Sequence, residues 1–552
     1  MNRRTGAIAG AALLGIVLVV ATAVLGGPRP APTEAPPSVA VATGVASPSP
    51  AATAPPPPVS TAALPSDFNG DGFADLVIGI PRQDVGVFSE AGSVHVLYGS
   101  VDGLTRAGNQ LWNRDSPDVL SSAHVDDHFG TAMASGDFDS DGYADLAVGA
   151  PDMGYGTGAG GVNVLYGSPS GLTSEENQLW AVANLPGVPK NRNVADGLGA
   201  ALASGDFDGD GFADLAIGSP GVDDVGSSAA GAVVLLHGGA GGLEFRGVWL
   251  TRADMGALRP SARALGRVLA AGDLNGDGRD DLVAAASGGV GARGHVLVFY
   301  GSGSGLTGAS SQQWSQDSLS AQGTSFVNDE FGAALAIGDF DGDAFGDLAV
   351  GAPLEGLDCV PRCQGAGAVH VIRGSAGGLT ADGNQLWSER TPGVPGNDEQ
   401  WDLFGRALAA GDFDGDGADD LAIGAPGEDA SRRSEPNGKG AVTVLYGTRD
   451  GLSASRAQKW TQDNPGVANS AVRGEAFGAS LASGQFGGST LDDIAIGVPR
   501  QRLLGVTHAG LVHVLFGRLG GLDAQGAQAW SKDTRGVDGV PVDEHYGETL
   551  GT

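Results

Sequence analysis

The sequence predicts an all-β fold: a seven-bladed β-propeller of four-stranded blades, closed by its C-terminal strand pairing into blade 1. Three observations predict it. A repeat of 66 to 73 residues runs through the chain from Asp67. Each copy holds four short apolar or alternating runs, and 95 glycines punctuate them. Short strands at even spacing with glycine turns describe the blades of a propeller.

Within a copy the elements follow in a fixed order. The first strand reads Phe-Gly-x-x-Leu-Ala-x-Gly-Asp-Phe and runs into an acidic loop. The second reads Asp-Leu-Ala-Ile-Gly-Ala-Pro, apolar and stopped by glycine and proline, as a buried strand is. A loop of variable length leads to the third, seen as Val94-His-Val-Leu-Tyr98, Val162-Asn-Val-Leu-Tyr166 and Val442-Thr-Val-Leu-Tyr446. The fourth follows a Gly-Leu-Thr turn and carries Trp112, Trp180, Trp314, Trp387, Trp460 or Trp530 in a Gln-x-Trp pattern.

The acidic loop carries the chemistry. In the third copy it reads Asp-Phe-Asp-Gly-Asp-Gly-Phe-Ala-Asp over 206–214. Four carboxylates at positions 1, 3, 5 and 9 repel one another unless a cation sits among them. Hard oxygen donors at alternating positions suit Ca²⁺, and a glycine at position 6 permits the sharp turn that gathers them. An EF-hand needs a glutamate at position 12, where this loop has Ile217. The candidate ligands are Asp67, Asn69, Asp71 and Asp75; Asp137, Asp139, Asp141 and Asp145; Asp206, Asp208, Asp210 and Asp214; Asp273, Asn275, Asp277 and Asp281; Asp339, Asp341, Asp343 and Asp347; and Asp412, Asp414, Asp416 and Asp420. Position 7 varies (Phe73, Tyr143, Phe212, Arg279, Phe345, Ala418), as expected where only a carbonyl is needed. The seventh copy, from Gln485, keeps only Asp493 and is expected to bind nothing. About six Ca²⁺ are therefore expected, with Ala344 at position 6 making the fifth loop the weakest.

The two ends of the repeat array complement each other. The first copy begins at its acidic loop, and the residues from His545 to Leu550 resemble the first strand it lacks. Pairing the two closes the ring without a free sheet edge, and predicts a monomer.

Ahead of the repeats, Arg3 and Arg4 precede an uncharged apolar run over 7–25. Residues 1–27 therefore read as a signal peptide, cleavable near Ala21-Thr-Ala23, or as a retained membrane anchor. Both readings send the rest out of the cell, secreted or extracellular. Residues 28–65 are rich in proline and alanine, with four prolines from Pro55 to Pro58, and predict an extended linker. The domain is 66–552.

The formal net charge is −33. Six loops hold three carboxylates each in copies 1 and 4 and four in each of the others, and six Ca²⁺ would cancel 12 charges. The remaining acidity argues against nucleic acid or an anionic membrane as partner. Cys359 and Cys363, the only cysteines, flank Val-Pro-Arg in the variable loop of copy 5 and predict a small local disulfide in an exported protein. His95, His370 and His513 recur at one place in the third strand, with His295 close to it, and a repeated position reads as structural. No nucleophile elbow, His-Glu-x-x-His, P-loop or Arg-Gly-Asp is found. Gly156-Thr-Gly-Ala-Gly-Gly161 matches a dinucleotide fingerprint by letter but precedes a strand rather than opening a helix.

Phe-Gly near the start of a copy and Gly-Ala-Pro after the acidic loop resemble the FG-GAP repeats of the integrin α-chain propeller and of the C-terminal part of glycosylphosphatidylinositol-specific phospholipase D. The resemblance covers 66–552. It implies seven blades, Ca²⁺ between strands 1 and 2 of a blade, and binding or adhesion at a cell surface. Leg domains and a separate catalytic domain are expected to be absent, and six acidic loops exceed what integrins usually carry. The expected function is thus an exported, Ca²⁺-stabilised binding module for a protein or glycan ligand. An extracellular hydrolase of lipid or glycan, and a wall component without a discrete ligand, are the alternatives. The ligand is expected on the face away from the acidic loops, where the connections 82–90, 152–158, 354–364 and 427–439 vary and where Trp401 lies.

Overall fold

The computed structural model describes residues 65–552 except 155–157, 186–195, 224–228, 252–262, 287–293, 309–310, 320–328, 357–364, 430–437, 504, 533 and 535–543. The segment 1–27, nearly all of the 28–65 linker, and Cys359 and Cys363 lie outside the described residues.

Seven antiparallel four-stranded sheets form the fold. Blade 2 shows the plan: β4 (Ala132–Gly136), β5 (Asp145–Ala150), β6 (Gly161–Tyr166) and β7 (Thr173–Ala181), in that spatial order. The second and third strands are buried from end to end, because each is covered by a neighbouring blade on both faces. Fourth strands are only partly buried, as outer edges are. The first strands touch one another around the ring and so line its centre. Among the described residues helix is limited to short 3-10 turns such as Val182–Asn184 and Gln316–Leu319.

The ring closes as expected. β28 (Thr549–Gly551) pairs with β1 (Leu76–Ile80) in the register Thr549↔Gly79, Leu550↔Ile78, Gly551↔Val77. The strand is shorter than the sequence suggested. Tyr546 and Gly547 stand ahead of it, and Tyr546 bridges Gly510 of blade 7 in parallel. The same staple joins Gly92 to Phe129, Gly160 to Leu198, Gly367 to Phe404 and Gly440 to Phe477. The Phe-Gly pair is therefore an interblade clip, with its aromatic ring fully buried between sheets. Tyr546 is 0% exposed, and its hydroxyl lies 2.8 Å from Nδ1 of His95.

The other repeated residues also act across seams. The Gln-x-Trp glutamine accepts the indole N–H of its own strand and donates to a leucine carbonyl of the next blade: Gln110 to Leu172, Gln385 to Leu452, and, across the closure, Gln528 to Leu104. Blade 3 has Val248 there, and Leu250 fills the tryptophan's register place while Trp249 falls on the other side of the strand. Main-chain bonds run around the ring as well. The N–H at loop position 8 donates to the position-1 carbonyl of the preceding blade at all seven seams, over 2.8–3.1 Å, Ala74 to Gln485 included. A second set of seven runs from the residue after each third-strand glycine to the position-2 carbonyl of the preceding blade, over 3.0–3.4 Å.

The recurring histidines are core groups. His95 pairs with Ile78, His370 with Val350 and His513 with Ile496, one register place in three blades. His295 pairs with Ala286, two residues earlier in its strand. Burial holds His370 and His513 neutral, pushing each down to about 4.

Candidate metal centre

Each acidic loop joins the first strand of a blade to the second, so all lie on one face. The base is closed by the pairing of the last first-strand glycine with the position-9 aspartate, as in Gly136↔Asp145 and Gly411↔Asp420. In loop 1 the first strand arrives from the C-terminus and stops at Gly551 opposite Val77, so Asp75 N–H donates instead to the Ser66 carbonyl at 2.9 Å.

The six acidic loops share one internal geometry. The position-1 carboxylate accepts the N–H groups of positions 5 and 6: Asp67 from Asp71 (3.0 Å) and Gly72 (2.9 Å), Asp137 from Asp141 (3.0 Å) and Gly142 (3.0 Å). The position-5 carboxylate accepts the N–H of position 7, as Asp71 does from Phe73 at 3.1 Å. Such a wrap needs a left-handed residue at position 6. Gly142 has φ +95°, whereas Ala344 is held at +71°, which costs about 1–2 kcal/mol.

Position 9 has a larger structural role than its sequence motif shows. Asp145 accepts Phe138 N–H at 2.8 Å through Oδ2 and Gly167 N–H at 2.9 Å through Oδ1. It thereby ties the loop to the end of the third strand. Even the degraded copy retains part of this, Asp493 accepting Gly517 N–H at 2.9 Å. The position-7 side chain has a further contact at several seams, where it covers the position-4 glycine of the preceding loop. A Cβ at Gly70 would lie 2.6 Å from Tyr143 Cε1, and one at Gly276 would lie 2.7 Å from Phe345 Cε1.

The donors converge. Oxygens of Asp137, Asp139 and Asp145 lie within 4.8 Å of one another, as do those of Asp206, Asp208 and Asp210, and of Asp339, Asp341 and Asp343. Asp341 Oδ1 and Asp414 Oδ1 are buried without a hydrogen-bond partner. Burial first, then the neighbouring loop carboxylates, pushes Asp75, Asp145 and Asp420 up to about 8 and Asp139 to about 6. Crowded, desolvated carboxylates with oxygens left over fit a hard dication, which would supply charge neutralisation and a tie between loop and strand.

The loops are not equivalent, and this the motif concealed. Arg373 ends the third strand of blade 5, and its Nη1 lies 2.7 Å from Asp341 Oδ2. Arg456 pairs with Asp414, and Arg246 stands 3.5 Å from Asp208. At position 3, loops 3, 5 and 6 therefore already hold a cationic side chain, and a metal there competes with it. Arg373 could have been found by its register: it occupies the place of Tyr98, Tyr166 and Tyr446.

A closed seven-bladed propeller with an acidic hairpin loop in six blades defines the class. The FG-GAP repeat model matches residues 59–97, 129–165, 198–236, 265–299, 331–372 and 404–445. This chain is an FG-GAP repeat propeller protein. Integrin alpha-PS2 of Drosophila melanogaster is 33% identical over 255 residues, 45% of this chain and 17% of that protein. Phosphatidylinositol-glycan-specific phospholipase D of Rattus norvegicus is 37% identical over 157 residues, 28% of this chain and 18% of that protein. The chain thus matches under a fifth of the length of these relatives. A solved rhamnogalacturonan lyase aligns with 85% of this chain and 74% of its own at 14% identity, with a TM-score of 0.35.

Proposed function

We propose that the protein is an exported, Ca²⁺-stabilised binding module that offers the face opposite its cation loops to a protein or glycan ligand at a surface. The division between the two faces carries this reading. One face is a set of short, hydrogen-bonded cation loops. The other holds the long connections and a cavity of about 490 Å³, lined among others by Arg82, Arg267, Trp401, Arg406, Arg500 and Glu548. These residues come from the far ends of first and second strands and from the connections beside them. Four arginines there, against Glu330 and Glu548, leave that mouth net positive in a chain of net charge −33. Similarity to integrin α chains supports adhesion, and the apolar run over 7–25 supports export. Among the described residues no helix is long and apolar enough to cross a membrane.

The test is binding of the full chain to an array of glycans and matrix proteins, with and without EDTA. A second arm replaces 354–364 by a short Gly-Ser turn. Binding should fall in that variant while Ca²⁺ binding and melting persist. Binding that survives there but is lost when exposed residues of the cation-loop face are altered would show that the faces are reversed.

A further inference from the structure

Blade 3 departs from the others where its third strand ends. Four blades place a tyrosine there, Tyr98, Tyr166, Tyr300 and Tyr446. The hydroxyls of Tyr98, Tyr300 and Tyr446 accept the N–H of Leu172, Leu379 and Leu522 of the next blade, at 3.1, 2.9 and 3.0 Å. Blade 3 has His237, an imidazole too short to span that distance, and it turns toward its own loop. His237 is 3% exposed, and its Nδ1 makes no well-formed hydrogen bond but faces the carboxylates of its own loop. That nitrogen lies 3.3 Å from Asp208 Oδ2 and 3.5 Å from Asp214 Oδ1. The three donor atoms lie within 4.8 Å of one another, and Asp208 belongs also to the cluster with Asp206 and Asp210.

We propose that the loop of blade 3 is a site for a transition-metal dication of the zinc class, with His237 Nδ1 as nitrogen donor beside Asp208 and Asp214. Oxygen-only loops suit Ca²⁺ and Mg²⁺, but a neutral imidazole nitrogen is a borderline donor that favours zinc and its neighbours. One imidazole and two carboxylates are ordinary zinc ligands. The imidazole gives its Nδ1 lone pair to the metal and keeps its proton on Nε2. Arg246 Nη1 stands 3.5 Å from Asp208 Oδ2, but its side chain is 46% exposed and reaches the carboxylate from the rim, so it yields without disturbing His237 or Asp214. This inference rests on reading the acidic loops as cation sites, and it assigns one of them a different metal.

The experiment uses the full chain, stripped with a chelator and titrated with Zn²⁺, and separately with Co²⁺, in a large excess of Ca²⁺. The key variant is His237→Tyr, which installs the side chain of the other blades. Wild type should hold one Zn²⁺ that Ca²⁺ does not displace. His237→Tyr should weaken it by roughly 10- to 100-fold, the range seen when even an outer partner of a metal site is lost. The Co²⁺ spectrum should show nitrogen ligation in wild type alone. His508→Ala with His545→Ala, removing a stacked pair whose ring centroids are 4.9 Å apart, should leave the tight site intact. Should His237→Tyr fail to fold, the near-isosteric Asp208→Asn must lower Zn²⁺ affinity instead. Equal Zn²⁺ affinity in wild type and variant overturns the proposal. So does a gain of cation binding in His237→Tyr, which would mean that a protonated His237 fills the loop in place of a metal. Failure of every loop to bind Ca²⁺, with the His237-dependent Zn²⁺ retained, would instead remove the calcium reading and leave this one standing.

Discussion

Tyr546→Ala should loosen the ring where it is closed without a covalent link. Tyr546 is fully buried among Ile78, Val512, Val514 and Trp530, and truncating a buried aromatic side chain costs about 3–5 kcal/mol. It also leaves His95 Nδ1 without the hydroxyl 2.8 Å away, worth about 1–3 kcal/mol if the nitrogen stays buried. The sum, roughly 4–8 kcal/mol, is a large share of the ~5–15 kcal/mol that holds a domain folded. A ring of about 490 residues melting as one unit has an unfolding entropy near 1 kcal/mol/K, so the melting temperature should drop by about 4–8 °C. Tyr546→Phe keeps the packing and should lose only the hydroxyl's share, about 1–3 °C. Differential scanning calorimetry in Ca²⁺-containing buffer measures both. An alanine variant that melts within a degree of the parent, or a phenylalanine variant as damaged as alanine, would refute the view that this clip closes the ring.

Deleting 545–552 should cost far more than removing eight residues of the 28–65 linker; a truncated chain that stays monomeric and melts normally argues against closure. Chelating Ca²⁺ should lower the melting temperature, because each site adds about 1.4 kcal/mol at ~1 mM Ca²⁺ for a Kd near 10⁻⁴ M, and six add about 8; native mass spectrometry showing three or fewer ions would sink the six-site reading. In Ca²⁺-free buffer stability should fall as the pH rises from about 4 to about 8. Asp75, Asp145 and Asp420 titrate near 8 when folded and near 3.8 when unfolded, so the folded state holds extra protons across that window and loses their stabilisation above it. Melting curves at pH 5 and pH 8 that show no such difference, or the same difference with Ca²⁺ present, would contradict the cation's role. Arg373→Gln should tighten Ca²⁺ binding in loop 5 while destabilising the chelated protein; calorimetry that finds the weakest site unchanged would clear Arg373 of competing for Asp341.

Much of this was legible in the sequence because a propeller repeats its local pattern. The acidic loop, the Gly-Ala-Pro stop and the third-strand Val-x-Val-Leu-Tyr are each set by burial and turn chemistry within about ten residues, and each was assigned to its element correctly. Ring closure was legible from arithmetic, since Tyr546 sits at the phase of Phe477. Contacts between residues some 70 apart were not. The Phe-Gly pair reads as the start of a strand, yet its aromatic ring serves the seam behind it. The Gln-x-Trp pattern marks Gln110, Gln385 and Gln528 as recurrent but does not show that each holds a neighbour's carbonyl. His237 and Arg373 look like ordinary substitutions in an apolar strand until the register shows both beside a loop carboxylate. A motif shows which residues recur, but whether a departure from it points into a site depends on the neighbouring blade and the loop geometry.

The main-chain bonds between loops have a consequence for how such a chain can change. At every seam an N–H of one blade meets a carbonyl of the blade before it, so this part of the junction does not depend on which side chains flank it. Position 8 is Ala74, Ala144 or Ala213 at three seams, Asp280, Asp419 or Asp492 at three more, and Gly346 at the last, and the bond persists in each. These main-chain bonds by themselves do not discriminate among neighbours; the glutamine, tyrosine and aromatic contacts add whatever selectivity a seam has. Whole repeats can be duplicated, exchanged or allowed to decay, as the seventh loop has, without a new interface having to arise. Because these bonds ask nothing of the residues around them, side chains at the rim are free to diverge blade by blade while the circle stays joined.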